Sequence, residues 1–534
     1  MTAGSTPNQI DPTRDSSATD GIDPAPRTSI RFPAFRHWNL DSTQTALLVG
    51  IILLTVLAFL RTLNNGFVYD DFPALVRNYR LREWSFIWDS LSRDVWWFWG
   101  MAQPPQSSYY RPLQNVCLGL GFHIVGLNAA GWHFLKILLH LFAVLVSFRL
   151  AQLLTASNYA ALLVALIFAL MPSNGAAIIS IQAIGEPLAA AFAMASLSMF
   201  IQRSRTRWAG MAGALVLFTC AAFSHETSVL FPILVGAYVF LFETNAAAAG
   251  ANATTPAAPS LVSRAVTAAV RSVPFVVVAL LYLGARAAVL GPAGVLGLNP
   301  HKNYTGPNTL PVNLFQPHAI FSSAEILMTI PTVIVHYIEL MIFPWMAEPA
   351  HAMAVVSSPT LTGFFVPLAI LLAIATAGFV FYRHTPRANL VLFCTVWWLV
   401  SLAPAFSFNH IVQFVQDRYL YLASFAFCVW VAICVVDFVG NSAARARAVS
   451  AAVVLVTIVC MTKLYIMEPI WHDNVSLFTR CVEDFPDSPY YHRVLASTLM
   501  KNGDFAGAAA HLRFIYKPEP QQQPKDKEPD KPQN

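Results

Sequence analysis

Charge is what this chain has least of. Its 534 residues include only 33 Lys and Arg and 28 Asp and Glu, 11% in all, where soluble domains carry roughly 25%. Such scarcity excludes an ordinary water-soluble domain. Cysteine is also sparse: of seven, Cys117, Cys220, Cys394, Cys428, Cys434 and Cys460 fall in or beside apolar stretches, and Cys481 stands alone near the end. No CxxC occurs, so neither a disulfide framework nor a zinc site is indicated. Long basic runs are missing, and the net charge is only +5. Short Arg clusters then speak for topology rather than nucleic acid. The apolar runs do not alternate, which argues against a membrane β-barrel. Residues 1–38 have no apolar centre, are rich in Ser, Thr, Asp and Pro, and read as disordered rather than as a signal peptide.

What is present is hydrophobic. Apolar residues make up 56% of the chain and the mean hydropathy is +0.54. Runs of about 17–25 apolar residues, enough to cross a hydrocarbon core of roughly 30 Å, recur from Thr43 to Met467. The expected spans are 43–63, 133–154, 159–171, 176–201, 208–223, 228–242, 274–290, 362–381, 390–404, 419–436 and 449–466. Arg27, Arg31 and Arg36 precede the first and place the N-terminus in the cytoplasm. The clusters Arg203/Arg205/Arg207, Arg264/Arg271, Arg383/His384/Arg387 and Arg445/Arg447 all become cytoplasmic if 112–127 is an interfacial helix on the outer surface. Segment 324–345 then has to be re-entrant or shallow. The fold class expected is an all-α polytopic membrane protein with about eleven crossings, ten to thirteen in range.

Four parts fall outside on this topology: the long first loop 64–127, the turn 172–175, the loop 291–323 and the region from about Glu468. Segment 244–259 reads as an Ala-rich cytoplasmic linker. Within 488–512, Leu495, Leu499, Gly503, Asp504 and Ala508 have the spacing of one tetratricopeptide helix pair. One repeat cannot bury its own face, so it should pack on the membrane domain or on a partner. The chain thus divides into a disordered N-terminus (1–38), a transmembrane domain (39–467), a tetratricopeptide-like region (468–516) and a disordered tail (517–534).

Two adjacent carboxylates, Asp70 and Asp71, stand just past the first span among aromatic neighbours. Like charges this close cannot both ionise freely in a poorly hydrated pocket, so one pKa should rise. That suits a general base for a hydroxyl acceptor, or a ligand for a divalent cation such as Mg2+ or Mn2+; a solvated loop pair is the plainer alternative. His133 and His140 share a helical face with His123 upstream, but no third metal ligand accompanies them. Trp96, Trp97, Phe98 and Trp99 should float the first loop at the membrane interface, with sugar stacking as the other role.

Tyr69-Asp70-Asp71 with Asn78, then Tyr109-Tyr110-Arg111-Pro112-Leu113 and His133, resembles the GT-C glycosyltransferases, in particular the TMTC-type protein O-mannosyltransferases and their bacterial tetratricopeptide-containing relatives. Further motifs follow in the same order: Pro172 with Glu186, Ser224-His225-Glu226-Thr227 with Pro232, Tyr337 with Pro344, Asp417-Arg418-Tyr419, then Trp471, Asp473, Asn474, Leu477 and Phe478. The resemblance implies a GT-C-like fold and transfer of mannose or another hexose, with inversion, from a polyprenyl or dolichyl phosphate to a hydroxyl of a protein or envelope acceptor. It implies a catalytic role for Asp70 or Asp71, which would also be the ligands of any metal. Donor-phosphate contacts would come from Arg111, Arg418 and His225, with Glu186, Glu226 and Tyr110 supporting. Arginines at membrane ends suit phosphate, although both could instead snorkel or pair with carboxylates, Arg418 with Asp417 for instance.

The chain departs from the family pattern at Met171 and Ala176, where His-Pro and then Glu are usual, at Ile184, where Arg is usual, and at His225, where Lys is usual. A flippase or transporter of lipid-linked saccharide, which would also explain the spans and arginines, and a catalytically lapsed scaffold, which these departures keep open, are the competing readings. The excess of Arg over Lys favours a bacterial inner membrane, with the endoplasmic reticulum as the eukaryotic equivalent. Either way the active site would face away from the cytoplasm.

Overall fold

The computed structural model describes residues 40–99, 107, 109–203, 207–243, 260–292, 322–351, 353, 355–406 and 415–515. The expectations for 1–38, the linker 244–259, the tail 517–534, Arg205 and most of the loop 291–323 lie outside the described residues. Among the described residues every regular element is helical. The helices are α1 (Ser42–Phe59), α2 (Ser85–Asp89), α3 (Pro112–Val125), α4 (Ala129–Thr155), α5 (Asn158–Leu170), α6 (Gly175–Ile179), α7 (Gly185–Gln202), α8 (Arg207–Ser224) and α9 (Phe231–Tyr238). There follow α10 (Leu261–Leu290), α11 (Ser323–Ile342), α12 (Val366–Tyr382), α13 (Ala388–Leu402), α14 (Leu420–Val439), α15 (Ala443–Met467), α16 (Asn474–Asp484), α17 (Pro489–Lys501) and α18 (Phe505–Ile515).

Eight of the described helical stretches are long and apolar enough to cross a membrane, or nine if the bent pair α5–α6 is one span. The chain is an integral, multi-pass membrane protein. Ends are capped where the residues allow it. Asp41 accepts the Gln44 N–H while the Gln44 side chain returns to the Asp41 N–H, a reciprocal capping box, and Ser322 and Glu325 repeat it at α11. Three segments expected to cross form shorter or interrupted helices: Trp208–Ser224 and Ala388–Leu402 are short, and 176–201 is broken. In segment 324–345, expected to be re-entrant or shallow, Ala324–Ile342 lies in one continuous helix with the length and composition of a crossing. The apolar run from Pro274 belongs to a helix that already starts at Leu261, capped by Ser260.

The break in 176–201 is the departure that matters most. Helix α6 stops at Ile179 and α7 starts at Gly185. Pro187 is the cause: it lacks an N–H, and its ring would strike the carbonyl of Ala183 in a continuous helix. Restarting at Gly185 puts Pro187 in the first turn. Upstream, Met171 is held extended, with φ −65° and ψ 117°, as the residue before Pro172 should be, and α5 and α6 meet at 54°.

The main core is formed by α1, α4, α5, α7, α8 and α14 with the helices packed on them. A second, smaller core lies under the first loop, where Ala74, Leu75, Leu81, Phe86 and Trp97 meet Leu118, Trp132, Ile181, Ile184 and Leu188. For Trp97 the expected interfacial role is corrected: it is buried and stacks on Phe86 at 5.6 Å. Among the described residues of this loop, the exposed tryptophans are Trp84 and Trp88. The C-terminal helix pair is present as α17 and α18, turning at Gly503 with φ +83°, and Asp504 caps α18 by accepting the Gly507 N–H at 2.8 Å. It packs on α16, which leads back to the first loop.

Gly185 stands where the break meets α8. A Cβ there would overlap the Gln114 side chain and come within 2.9 Å of the Ser224 carbonyl, a backbone group with nowhere to go. Gly185→Ala should therefore destabilise the fold by about 1–3 kcal/mol, read as a lower midpoint in thermal unfolding of detergent-solubilised protein.

Candidate active site

The first loop leaves α1 through a tight 3-10 turn and is tied down at both ends. Tyr110 donates its hydroxyl to the Leu91 carbonyl at 2.6 Å, and its own carbonyl accepts the Tyr282 hydroxyl at 3.1 Å. Asp71 is buried, and both carboxylate oxygens are used. Oδ2 accepts the Val68 N–H at 3.1 Å and Oδ1 accepts the Gln182 N–H at 2.8 Å. Gln182 belongs to the break between α6 and α7, so this single carboxylate joins the first loop to a non-helical stretch of the membrane domain. Asp70 differs. It is half-buried, and among the described residues its carboxylate accepts no hydrogen bond.

Burial pushes the Asp70 carboxyl up to about 6; Arg418 opposes the rise and Glu186 adds to it. Burial likewise pushes Asp71 up to about 7, against the lowering effect of the Val68 and Gln182 amides. The expected rise is present at both members of the pair, and the charge of Asp70 adds to it at Asp71. Desolvation dominates at both, and the charge of Asp70 contributes less at Asp71 than either amide.

Around Asp70 stands a group of paired charges. Arg111 grips Glu226 through two hydrogen bonds, at 2.7 Å and 2.5 Å, and Glu226 also faces Arg286. Glu186 is buried, with Oε1 3.4 Å from Arg418 Nε and 3.7 Å from His225 Nε2. Glu186 Oε2 and His225 Nε2 meet no hydrogen-bond partner among the described residues. Burial, and then the nearby Arg111, push His225 down to about 4, so at neutral pH it can offer an N–H but no charge. Arg418 spends Nε on Gln416 at 2.6 Å, and its two terminal nitrogens make no hydrogen bond among the described residues. The six sequence-predicted residues Asp70, Arg111, Glu186, His225, Glu226 and Arg418 thus converge, while Asp71 and Tyr110 hold the loop behind them.

Sequence reasoning missed Lys136. Its Nζ donates to the Ala183 carbonyl at 2.9 Å, the group that Pro187 leaves without a helical partner, and it faces both Glu186 and Asp71. The signal was available: a lysine inside an apolar span is costly and seldom idle. Gln182 had no such signal, since only its backbone acts. The histidines do not assemble. His140 is satisfied by the Tyr421 hydroxyl at 2.6 Å and the Ala169 carbonyl at 3.0 Å, and His123 stacks on Trp84. Asp417 accepts from His351 at 2.6 Å rather than from Arg418. Among the described residues no group of three or more His, Cys, Asp or Glu could hold a metal ion. Each oxygen of Asp71 already accepts one backbone N–H.

Comparison with known proteins returns the expected resemblance. Protein O-mannosyl-transferase Tmtc1 of Drosophila melanogaster is 26% identical over 201 residues, 37% of this chain and 23% of that protein. Human TMTC1 is 28% identical over 200 residues, 34% of this chain and 22% of that protein. The matches thus span under a quarter of those relatives' own length. No family model matches. Among solved structures, the archaeal oligosaccharyltransferase AglB of Archaeoglobus fulgidus, in complex with an inhibitory peptide and a dolichol-phosphate, aligns with a TM-score of 0.43 and 13% identity, covering 85% of this chain and 60% of that one. ArnT of Cupriavidus metallidurans bound to undecaprenyl phosphate aligns with a TM-score of 0.41 and 11% identity, covering 90% and 76%.

The Arg111–Glu226 pair allows a direct test of the site's electrostatics. Removing one partner of a poorly hydrated pair strands the other charge, at a cost of about 3–5 kcal/mol. Glu226→Gln and Arg111→Gln should each lower stability by that order, and the double variant should lose far less than their combined effect, in denaturation of the purified protein.

Proposed function

We propose that the chain is a membrane glycosyltransferase that moves a hexose, mannose among the options, from a polyprenyl or dolichyl phosphate to a hydroxyl of a protein or envelope acceptor. One observation carries this reading: among the described residues the half-buried Asp70 has a carboxylate that accepts no hydrogen bond, and it feels the charge of Arg418, whose terminal nitrogens also make none. A general base and a phosphate ligand are what an inverting transfer from a phosphate donor requires. Asp70 takes the proton of the acceptor hydroxyl as its oxygen attacks the sugar C1. The bond from C1 to the phosphate oxygen breaks with inversion, and the lipid phosphate leaves with its charge held by Arg418. His225 adds a neutral N–H donor. Arg111 is committed to Glu226 and acts by fixing the site's walls. Asp71 acts as the loop's anchor, and no step is routed through a metal. This reading puts the site on the extracytoplasmic face of a bacterial inner membrane, or of the endoplasmic reticulum in a eukaryote, with the N-terminus cytoplasmic, in keeping with the Arg clusters. Similarity to protein O-mannosyl-transferases supports a protein acceptor.

Sugar transfer from radiolabelled polyprenyl-phosphate hexoses in membranes, with and without a chelator, tests the proposal. Asp70→Asn should abolish transfer while expression and unfolding midpoint hold, and the chelator arm reads whether a divalent cation takes part. Asp71→Asn should lower stability as well, because one backbone N–H loses a charged acceptor. A base with a pKa of about 6 is protonated below that value, so transfer should fall as pH drops through about 6 and level off above. Equal transfer by wild type and Asp70→Asn would overturn the assignment.

A further inference from the structure

Tyr69, the residue before Asp70, has φ +46°, in the left-handed region that side chains other than glycine, Asn and Asp seldom enter. Such a conformation persists only where its surroundings over-determine it. Here the surroundings come from the other end of the chain. Asn474 accepts the Tyr69 N–H on Oδ1 at 2.7 Å, the Tyr490 hydroxyl meets the Tyr69 hydroxyl at 3.2 Å, and the Phe478 ring lies edge-on to the Tyr69 ring at 5.7 Å. The approach is tightened nearby. Gly66 donates its N–H to the His472 carbonyl at 2.9 Å, and Asn65 donates its side-chain amide to the Glu468 carbonyl at 3.0 Å. Asn474 is free for this contact because Asp473 caps α16, accepting the Ser476 N–H at 2.8 Å.

We propose that Asn474 and Tyr490 are positioning residues: the C-terminal region clamps Tyr69 in the left-handed conformation that presents Asp70 to the site. On this view α16 and α17 complete the active site rather than forming an appended module. The inference rests on the assignment of Asp70 as base, but the clamp itself can be read without any activity. Without the clamp, Tyr69 relaxes to negative φ and the next residue swings away. A glycine at 69 needs no clamp, because left-handed backbone is open to it.

The experiment is a cycle in the full-length protein using Asn474→Ala, Tyr490→Phe, Tyr69→Gly and the Asn474→Ala/Tyr69→Gly double variant. It combines hydrogen exchange of peptides covering 66–74 with transfer kinetics over a range of donor concentrations. Asn474→Ala should speed exchange across 66–74 and lower kcat by up to ~100-fold, the scale of a 1 Å misplacement, with the donor KM unchanged. Tyr490→Phe should do the same to a smaller extent. In the Tyr69→Gly background, Asn474→Ala should add no further loss. Unchanged exchange in Asn474→Ala overturns the clamp. So does faster exchange with unaltered transfer, or an equal loss from Asn474→Ala in both backgrounds. If wild type transfers no sugar from any donor, the transferase reading fails and exchange alone decides the clamp.

Discussion

The Asp71 carboxylate makes two hydrogen bonds, and the geometry of the site hangs on them. A helix interrupted inside an apolar domain leaves amides and carbonyls with no water to turn to, and each such group must find an internal partner. Between α6 and α7 the Gln182 N–H finds Asp71, the Gln182 carbonyl accepts from Gln114, and the Ala183 carbonyl accepts from Lys136. The interruption is therefore supported from the first loop, from α3 and from α4 together. Because Asp71 also receives the Val68 N–H, one carboxylate both satisfies the break and shapes the first loop. Asp70 is left pointing elsewhere, toward Arg418.

Charges at the site are mostly matched. Arg111 neutralises Glu226, Arg418 and Lys136 both face Glu186, and His225 is held neutral by burial. Matching of this kind keeps the pocket near electroneutrality before a substrate arrives. Among the described residues it leaves the Asp70 carboxylate and the terminal nitrogens of Arg418 without hydrogen bonds. A low-dielectric setting strengthens whatever those two groups meet, which suits chemistry in which a phosphate departs while a hydroxyl loses its proton.

Much of this was legible in one dimension. Long apolar runs and Arg clusters identified a helical membrane protein, and the ends of most helices fall within a few residues of the apolar runs. The resemblance pointed to Asp70, Asp71, Arg111, Glu186, His225, Glu226 and Arg418, and the structure gathers all of them around one loop. What hydropathy could not see was backbone. Residues 180–184 are apolar enough to read as helix, and only Pro187 hints at the interruption. Trp97 was misplaced for a similar reason, since an aromatic run suits an interface and a small core equally well; Phe86, Leu118 and Trp132 decide between them. The separate roles of the two aspartates could not be read from adjacent letters.

By itself the sequence determined the solvent of this protein, the period of its elements and the residue types able to do chemistry, because those follow from side-chain polarity and spacing along the chain. Tertiary structure alone decided which carboxylate is anchor and which is free, that Lys136 serves a broken helix, and that Asn474 reaches Tyr69. Those outcomes depend on backbone groups of residues such as Gln182 and Ala183, which carry the same N–H and C=O whatever their side chains. Partners of that kind exist only once distant segments have been brought together.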